Sequence, residues 1–212
     1  GEGKDRQNLS LGGNIDSVIP AVAASQPNTI VVITTGGSVL TPWRKSVPVI
    51  LTNFFPGEQV GPALFDIIFG NIAPQAKLPL TFPNVENEQN MSVEQYPGVQ
   101  TKDFALQANY SEGQIVGYRF YDKHELQPAF EFGFGLTYGS YEYDNLKVAG
   151  RKISFTIKPA QNLPASSHSF VPCDTPQVYL GFPHAKNDPK IPVKVLRYFR
   201  KVCNYSGETT IE

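Results

Sequence analysis

The chain has 212 residues, is 41% hydrophobic and 17% charged, and carries a formal net charge of −1. This balance is that of a globular protein and excludes nucleic acid and anionic membranes as obvious partners. No run approaches the roughly 18 apolar residues of a membrane span, and the polar start Gly1-Glu2-Gly3-Lys4-Asp5, without Met or an apolar leader, predicts a processed or partial chain.

The first part reads as α/β. Ile15, Val18, Ile19 and Val22 follow i, i+3, i+4, i+7 spacing, which predicts a helix over 14–25. Asn14 or Asp16 is placed to cap it, and Pro20 fits only if it lies in the first turn. Ile30 to Ile33 is a continuous β-branched run and Val49 to Leu51 a second apolar one. Such runs predict parallel strands buried on both faces. The segment Thr34 to Ser46 is long enough for the crossover between them. Val60, Leu64, Ile67 and Ile68 mark a second amphipathic helix ending at Gly70, and Leu78 to Phe82 reads as a further strand.

Residues 84–109 have no periodicity and predict a long surface loop. The aromatic, glycine-studded stretch Tyr110 to Tyr143 follows. Beyond about Glu142 the pattern turns to alternation. Ile153, Phe155 and Ile157 interleave with Lys152, Ser154 and Thr156, and two more strands are predicted at 178–180 and 193–199. About four strands are expected in this region, fewer than the roughly seven of a complete sandwich. Cys173 and Cys203, with His124, His168 and His184, make no zinc-type spacing. A disulfide and two free thiols are both compatible with the sequence. Asn-x-Ser triplets stand at Asn8, Asn90, Asn109 and Asn204. They are candidate glycosylation sites and favour a secreted protein.

Several segments, in order, carry a family resemblance. These are Gly1 to Leu11 with its Glu2-Gly3 and Asp5-Arg6, Ile30 to Trp43, Phe55-Pro56-Gly57-Glu58, Lys77 to Pro83, Gly117 to Asp122, and Phe132 to Tyr138. Together they resemble the α/β sandwich domain of glycoside hydrolase family 3, the β-glucosidase and β-xylosidase family. Gln177 to Leu180 and Pro192 to Val202 resemble the fibronectin-III-like module that follows that domain. The resemblance implies an α/β fold: a partial α/β sandwich domain over 1–141, then an incomplete fibronectin-III-like β-sandwich over 142–212. Lys158 to Asp174 departs from the module's pattern. The family's barrel, which carries the aspartate nucleophile, has no counterpart here.

What the resemblance implies about chemistry is hydrolysis of terminal β-D-glucosyl or similar residues with retention, as part of a larger enzyme. The partners would be an oligosaccharide or β-glucoside and the absent N-terminal barrel; no metal or organic cofactor is implied. Retention needs a nucleophile and an acid/base carboxyl about 5–5.5 Å apart. Glu2 is the candidate acid/base, and glycines on both sides allow close approach of the backbone to substrate. Asp5 and Arg6 read as a structural pair steadying that segment. Trp43, the only tryptophan, is a candidate sugar platform; a lone Trp after Pro is also a packing residue. Glu112, among Tyr110, Tyr118 and Tyr121, is a candidate pocket-rim residue, with solvent exposure or a pair with Arg119 as the alternative. Glu58 suits a helix start. A second functional class stays open from sequence: a non-catalytic carbohydrate-binding or interaction module using the aromatic stretch.

Overall fold

A computed structural model describes Gly3 and residues 6–103, 105–159, 173–203 and 207–211. Glu2, Asp5, Asn204 and most of the Lys158 to Asp174 stretch lie outside these residues. The chain forms two compact units, neither of them continuous in sequence. The first comprises Gly1–Pro56, Pro79–Phe132 and Leu180–Val195; the second comprises Gly57–Leu78, Gly133–Tyr179 and Leu196–Glu212.

In the first unit, α1 spans Ile15–Ser25, and β1 (Ile30–Thr34) pairs in parallel with β2 (Val49–Asn53). The connection between these strands holds one 3-10 turn, Arg44–Ser46. Asn14 occupies the N-cap of α1 without a side-chain cap; its carbonyl instead accepts the N–H groups of Ser17 and Val18. Pro20 lies inside the helix rather than in its first turn. The helix therefore lacks one interior hydrogen bond there.

Two expectations of burial are corrected. The strands are not covered on both faces: Ile33 is 4% exposed, but Ile30, Val32 and Val49 are each at least 40% exposed. Helix α1 likewise buries Ala23 and leaves Val18 and Val22 half open. The buried residues of this unit include instead Val39, Thr41, Trp43, Phe82 and Tyr121.

Leu78 to Phe82 is not a strand. Phe82 makes only an isolated antiparallel bridge with Phe130. Pro79 and Pro83 explain this, because neither has an N–H to give to a ladder. Within 84–109 the chain turns repeatedly, and its one regular feature among the described residues is the pair β3 (Val99–Gln100) and β4 (Leu106–Gln107). The aromatic stretch contains a helix that periodicity did not reveal, α3 (Tyr118–His124). It starts at Gly117, whose φ of 56° and ψ of −137° suit a residue without Cβ.

Lys123, on α3, fastens a distant segment. Its ammonium donates to the carbonyls of Ala185, Asp188 (2.6 Å) and Ile191 (3.1 Å). A charged donor shared by three half-buried carbonyls is worth more than a neutral bond. Lys123→Met keeps the apolar stem and removes the donors. It is expected to cost about 2 kcal/mol and to speed amide hydrogen exchange in 185–191. Unchanged exchange there would refute the clamp.

The second unit contains α2 (Val60–Ile68) and most of the strands. β5 (Tyr141–Ala149), β6 (Lys152–Pro159) and β11 (Gly207–Ile211) form an antiparallel sheet ordered β11-β6-β5. β7 (Cys173–Asp174) pairs with β10 (Val202–Cys203). A further pair joins β8 (Gln177–Gly181) and β9 (Lys194–Phe199), whose residues are shared between the units. The count beyond Tyr141 is thus seven strands among the described residues, not about four. Phe155 and Ile157 are the core here, packed by Tyr141, Ile153, Val178 and Val202. Cys173 and Cys203 stand opposite each other and are joined in a disulfide. Gly135 passes so close to the carbonyl of Ala76 that a Cβ would lie 2.4 Å from its oxygen.

Beside the disulfide, Asp174 is 7% exposed. It pairs with Lys77 at 3.1 Å, and Tyr143 donates a hydrogen bond to it. Burial pushes its carboxyl up. The Tyr143 hydroxyl, the Thr175 N–H and the Lys77 charge together outweigh burial and hold it below the usual range. A carboxyl lowered by folding stabilises above its unfolded pKa of about 3.9 and loses that contribution as pH falls through the folded value. The urea midpoint is therefore expected to drop on acidification below about pH 4, and less steeply in Asp174→Asn. Parallel profiles for the two proteins would count against Asp174 as the linked group.

Candidate functional site

The first unit carries an open cavity of about 930 Å³. Its first wall is the segment that follows Glu2. The Arg6 guanidinium donates to the Ser38 carbonyl at 3.2 Å, and the Leu9 carbonyl accepts the N–H of Leu40 at 2.9 Å. The Leu9 N–H donates to the Glu86 carboxylate. Asn8 turns its own side-chain oxygen back to the N–H of Ser10, 3.1 Å away.

The second wall is the loop 84–91, which a polar network braces. Glu88 accepts the backbone N–H and side-chain amide of Asn84, both at 2.9 Å, and the Tyr121 hydroxyl at 2.6 Å. Arg44 donates to the Asn84 side-chain oxygen at 2.7 Å. Asn87 closes the turn by bonding both backbone groups of Met91. Burial pushes the Glu88 carboxyl up, but the Tyr121 and Asn84 bonds and the Arg44 charge together lower it. Burial, then the hydrogen bond and charge of Glu88, raise the Tyr121 phenol well above its ordinary value. Glu88 stays ionised and Tyr121 protonated at neutral pH, so the network is a fixed brace rather than a proton donor.

The third wall comes from α3 and the strip leading to Phe132. Tyr118 stacks on Phe132 with centroids 4.8 Å apart, and the Arg119 guanidinium lies 5.6 Å from the Tyr118 ring centre. Tyr96, 72% exposed, stands at the rim. Among the described residues the Arg119 Nε and the Gln89 Oε1 are buried without a hydrogen-bond partner. Rings, amides, two arginines and two glutamates on one concave surface match the mixed apolar and hydroxyl surface of a sugar. Among the described residues no group of three or more His, Cys, Asp and Glu is arranged to hold a metal, and no helix is long and apolar enough to cross a membrane.

The residues singled out from sequence fall in different places. Glu2 lies outside the described residues, so only the segment after it is placed. Trp43 is 2% exposed and its Nε1 is unbonded among the described residues; it fills the core, and no indole face is open to a ligand. Glu112 is not part of the cavity lining. It accepts the Gln95 amide at 2.9 Å, while Arg119 turns to Tyr118 instead. Glu58 precedes α2 and takes a hydrogen bond from Gln59. Asn8, Asn90 and Asn109 are exposed; Asn204 lies outside the described residues. Glu86, Glu88, Gln89, Tyr96 and Arg119 were not singled out as lining residues. The one local hint was Asn84 and Glu88, four apart after a Phe-Pro pair in an otherwise featureless stretch.

Residues 1–138 match the Glycosyl hydrolase family 3 C-terminal domain. A β-glucosidase of Rhizobium radiobacter is 33% identical over 98% of this chain and 25% of its own length. Thermostable beta-glucosidase B of Acetivibrio thermocellus is 38% identical over 72% of this chain and 20% of its own. Among solved structures, DesR, a β-glucosidase from Streptomyces venezuelae in complex with D-glucose, aligns with a TM-score of 0.82 and 34% identity, covering 99% of this chain and 26% of that one. A Bifidobacterium adolescentis β-glucosidase aligns at 0.83 with 31% identity, covering 100% and 30%. The chain thus spans about a quarter of the length of the curated relatives it matches.

Proposed function

The chain belongs to glycoside hydrolase family 3, and from that premise we propose that it is the C-terminal part of a β-glucosidase that hydrolyses terminal β-linked glucose with retention. One observation carries this reading. Residues 6–9, which follow Glu2 in sequence, form a wall of a cavity whose other walls offer Tyr118 and Phe132 beside Gln89, Asn87 and Arg119.

In this mechanism Glu2 gives its proton to the leaving oxygen and then takes one from water. The nucleophilic carboxylate comes from a barrel domain outside these residues. The open apolar side chains Ile30, Val32 and Val49 are a surface for the rest of that enzyme to cover, since exposed patches of this kind mark contacts. We extend the domain proposal to 1–141 as the α/β sandwich domain and 142–212 as a fibronectin-III-like module. Secretion is the proposed location. The Cys173–Cys203 disulfide and the exposed Asn8, Asn90 and Asn109 support it.

Hydrolysis of an aryl β-glucoside tests the reading. The whole enzyme is expected to turn over, Glu2→Gln to lose about 10²–10⁴-fold on a substrate with a poor leaving group, and the 212-residue chain to be inactive alone. Turnover by the isolated chain would place both carboxyls within it and overturn the split.

A further inference from the structure

The charged side chains lining the cavity of the first unit are engaged, with one exception. Arg6 donates to the Ser38 carbonyl, Glu86 accepts the Leu9 N–H, and Glu88 accepts from Asn84 and Tyr121. Arg119, half-buried on the same lining, has no hydrogen bond and no ion pair among the described residues. It rests only on the Tyr118 ring, 5.6 Å from its centre. Its Nε is enclosed without an acceptor, while its terminal nitrogens, also without one, are not enclosed. Gln89 stands alike: its Oε1 is enclosed and unbonded, which leaves the amide nitrogen as its free end. Asn87, beside it, has spent both ends of its amide on Met91. The groups left over in this corner are therefore donors, and one of them is a full cation. A neutral hydroxyl gives and takes hydrogen bonds alike and supplies no charge to match. A carboxylate offers acceptors only, and it fits a guanidinium fork through two parallel bonds.

We propose that this cavity receives a carboxylate-bearing sugar or glycoside: Arg119 takes the carboxylate, and the exposed Tyr96 ring at the rim covers an apolar sugar or aryl face. This rests on the reading of the cavity as a saccharide site and deepens it with a charge preference; it makes no use of where Glu2 stands. The substrates of the enzyme are then β-glucosides that carry an acid, as a uronic acid unit or as an aromatic acid. Both sources present the same group to Arg119.

The experiment titrates the whole enzyme of which this chain is proposed to be part, by calorimetry, with two pairs of probes. One pair is D-glucuronate and D-glucuronamide. The other is 4-carboxyphenyl β-thioglucoside, whose sulfur resists hydrolysis, and its carboxamide. Each pair keeps the shape and removes the charge. The parent is expected to bind the acid of at least one pair about tenfold more tightly than the amide. Which pair does so tells a uronic acid from an aromatic one. Arg119→Met, which keeps the apolar stem, brings the acid down to the level of its amide. Arg119→Lys keeps the charge without the fork and retains only part of the preference. No preference in either pair, or a preference that survives Arg119→Met, overturns the proposal. A carboxylate elsewhere in the enzyme that already holds Arg119 would give the first of these results. Should Arg119→Met not fold, Arg119→Lys takes its place, and an undiminished preference there overturns the proposal. Hydrolysis of a neutral aryl β-glucoside by the same parent preparation separates the two ideas. If hydrolysis is absent while the preference for the acid holds, the glucosidase reading fails and the acid site stands. If hydrolysis proceeds and no preference is found, only the role of Arg119 fails.

Discussion

Phe82→Ala is expected to lower stability by about 3–5 kcal/mol, read as the shift in urea midpoint of the 212-residue chain. The ring is 2% exposed and among the largest fully buried side chains. It meets Phe130 edge-on at 6.0 Å and Phe54 at 6.5 Å. Its backbone donates to the Phe130 carbonyl and accepts from Ala129. The flanking Pro79 and Pro83 leave the segment few other backbone bonds, so side-chain packing holds it in place. Truncation removes the transfer free energy of the ring and leaves a cavity that two neighbouring rings cannot fill without moving. Since whole domains are stable by only about 5–15 kcal/mol, the variant is near its limit at 25 °C. Phe82→Leu, which keeps most of the volume, should cost less than half as much. A loss under about 1 kcal/mol for the alanine variant would mean the site collapses freely and is not a core position.

Reducing the disulfide is the second large effect. Cys173 and Cys203 are 30 residues apart, with Cα atoms 4.2 Å from each other. The strand pair they join is two residues long on each side, too short to hold by ladder bonds alone. Closing a loop of this size restricts the unfolded chain by about 3.5 kcal/mol in the chain-entropy account. A Cys173→Ala, Cys203→Ala double variant should therefore unfold about 2–4 kcal/mol earlier than the parent, and reductant should act on the parent alone. Coincident midpoints with and without reductant would refute the contribution. Asp174, next to Cys173, should lose part of its protection when the bridge goes, which the acid profile of the double variant would register.

What could be read from the sequence was what nearest neighbours encode. The i, i+3, i+4 spacing of Ile15 to Val22 marks α1 because the helix period is local, and the β-branched run Ile30 to Ile33 marks β1 for the same reason. The alternation at Ile153, Phe155 and Ile157 marks the buried face of β6. The family resemblance was also carried by short local motifs. What was not legible depends on distant partners. Pairs such as β3 with β4 or β7 with β10 are two residues long and contain no period at all. β5 is broken by a bulge between Asp144 and Lys147, with Asn145 at φ 57°, and so never shows clean alternation. α3 is only seven residues long, three of them Tyr or Phe, too short to show an apolar period, and is started by the backbone freedom of Gly117. At the site, Glu88 finds Tyr121 across 33 residues and Glu86 finds Leu9 across 77. Trp43 invited a surface role because its type suits sugars; its burial, 2% exposed, was a property of the fold.

The interleaving of the two units bears on how this polypeptide is made. Neither unit is complete until late: the first needs residues up to Val195 and the second needs those after Leu196. During synthesis neither of these two units can be completed while the other is still being made, unlike domains that follow one another along a chain. Early segments such as Ile30 to Thr34 emerge well before the later parts of their unit, Pro79–Phe132 and Leu180–Val195. Ribosome-bound chains stopped before Val195 should therefore remain sensitive to protease throughout, and chaperone demand should track the length of that wait rather than the stability of the finished protein.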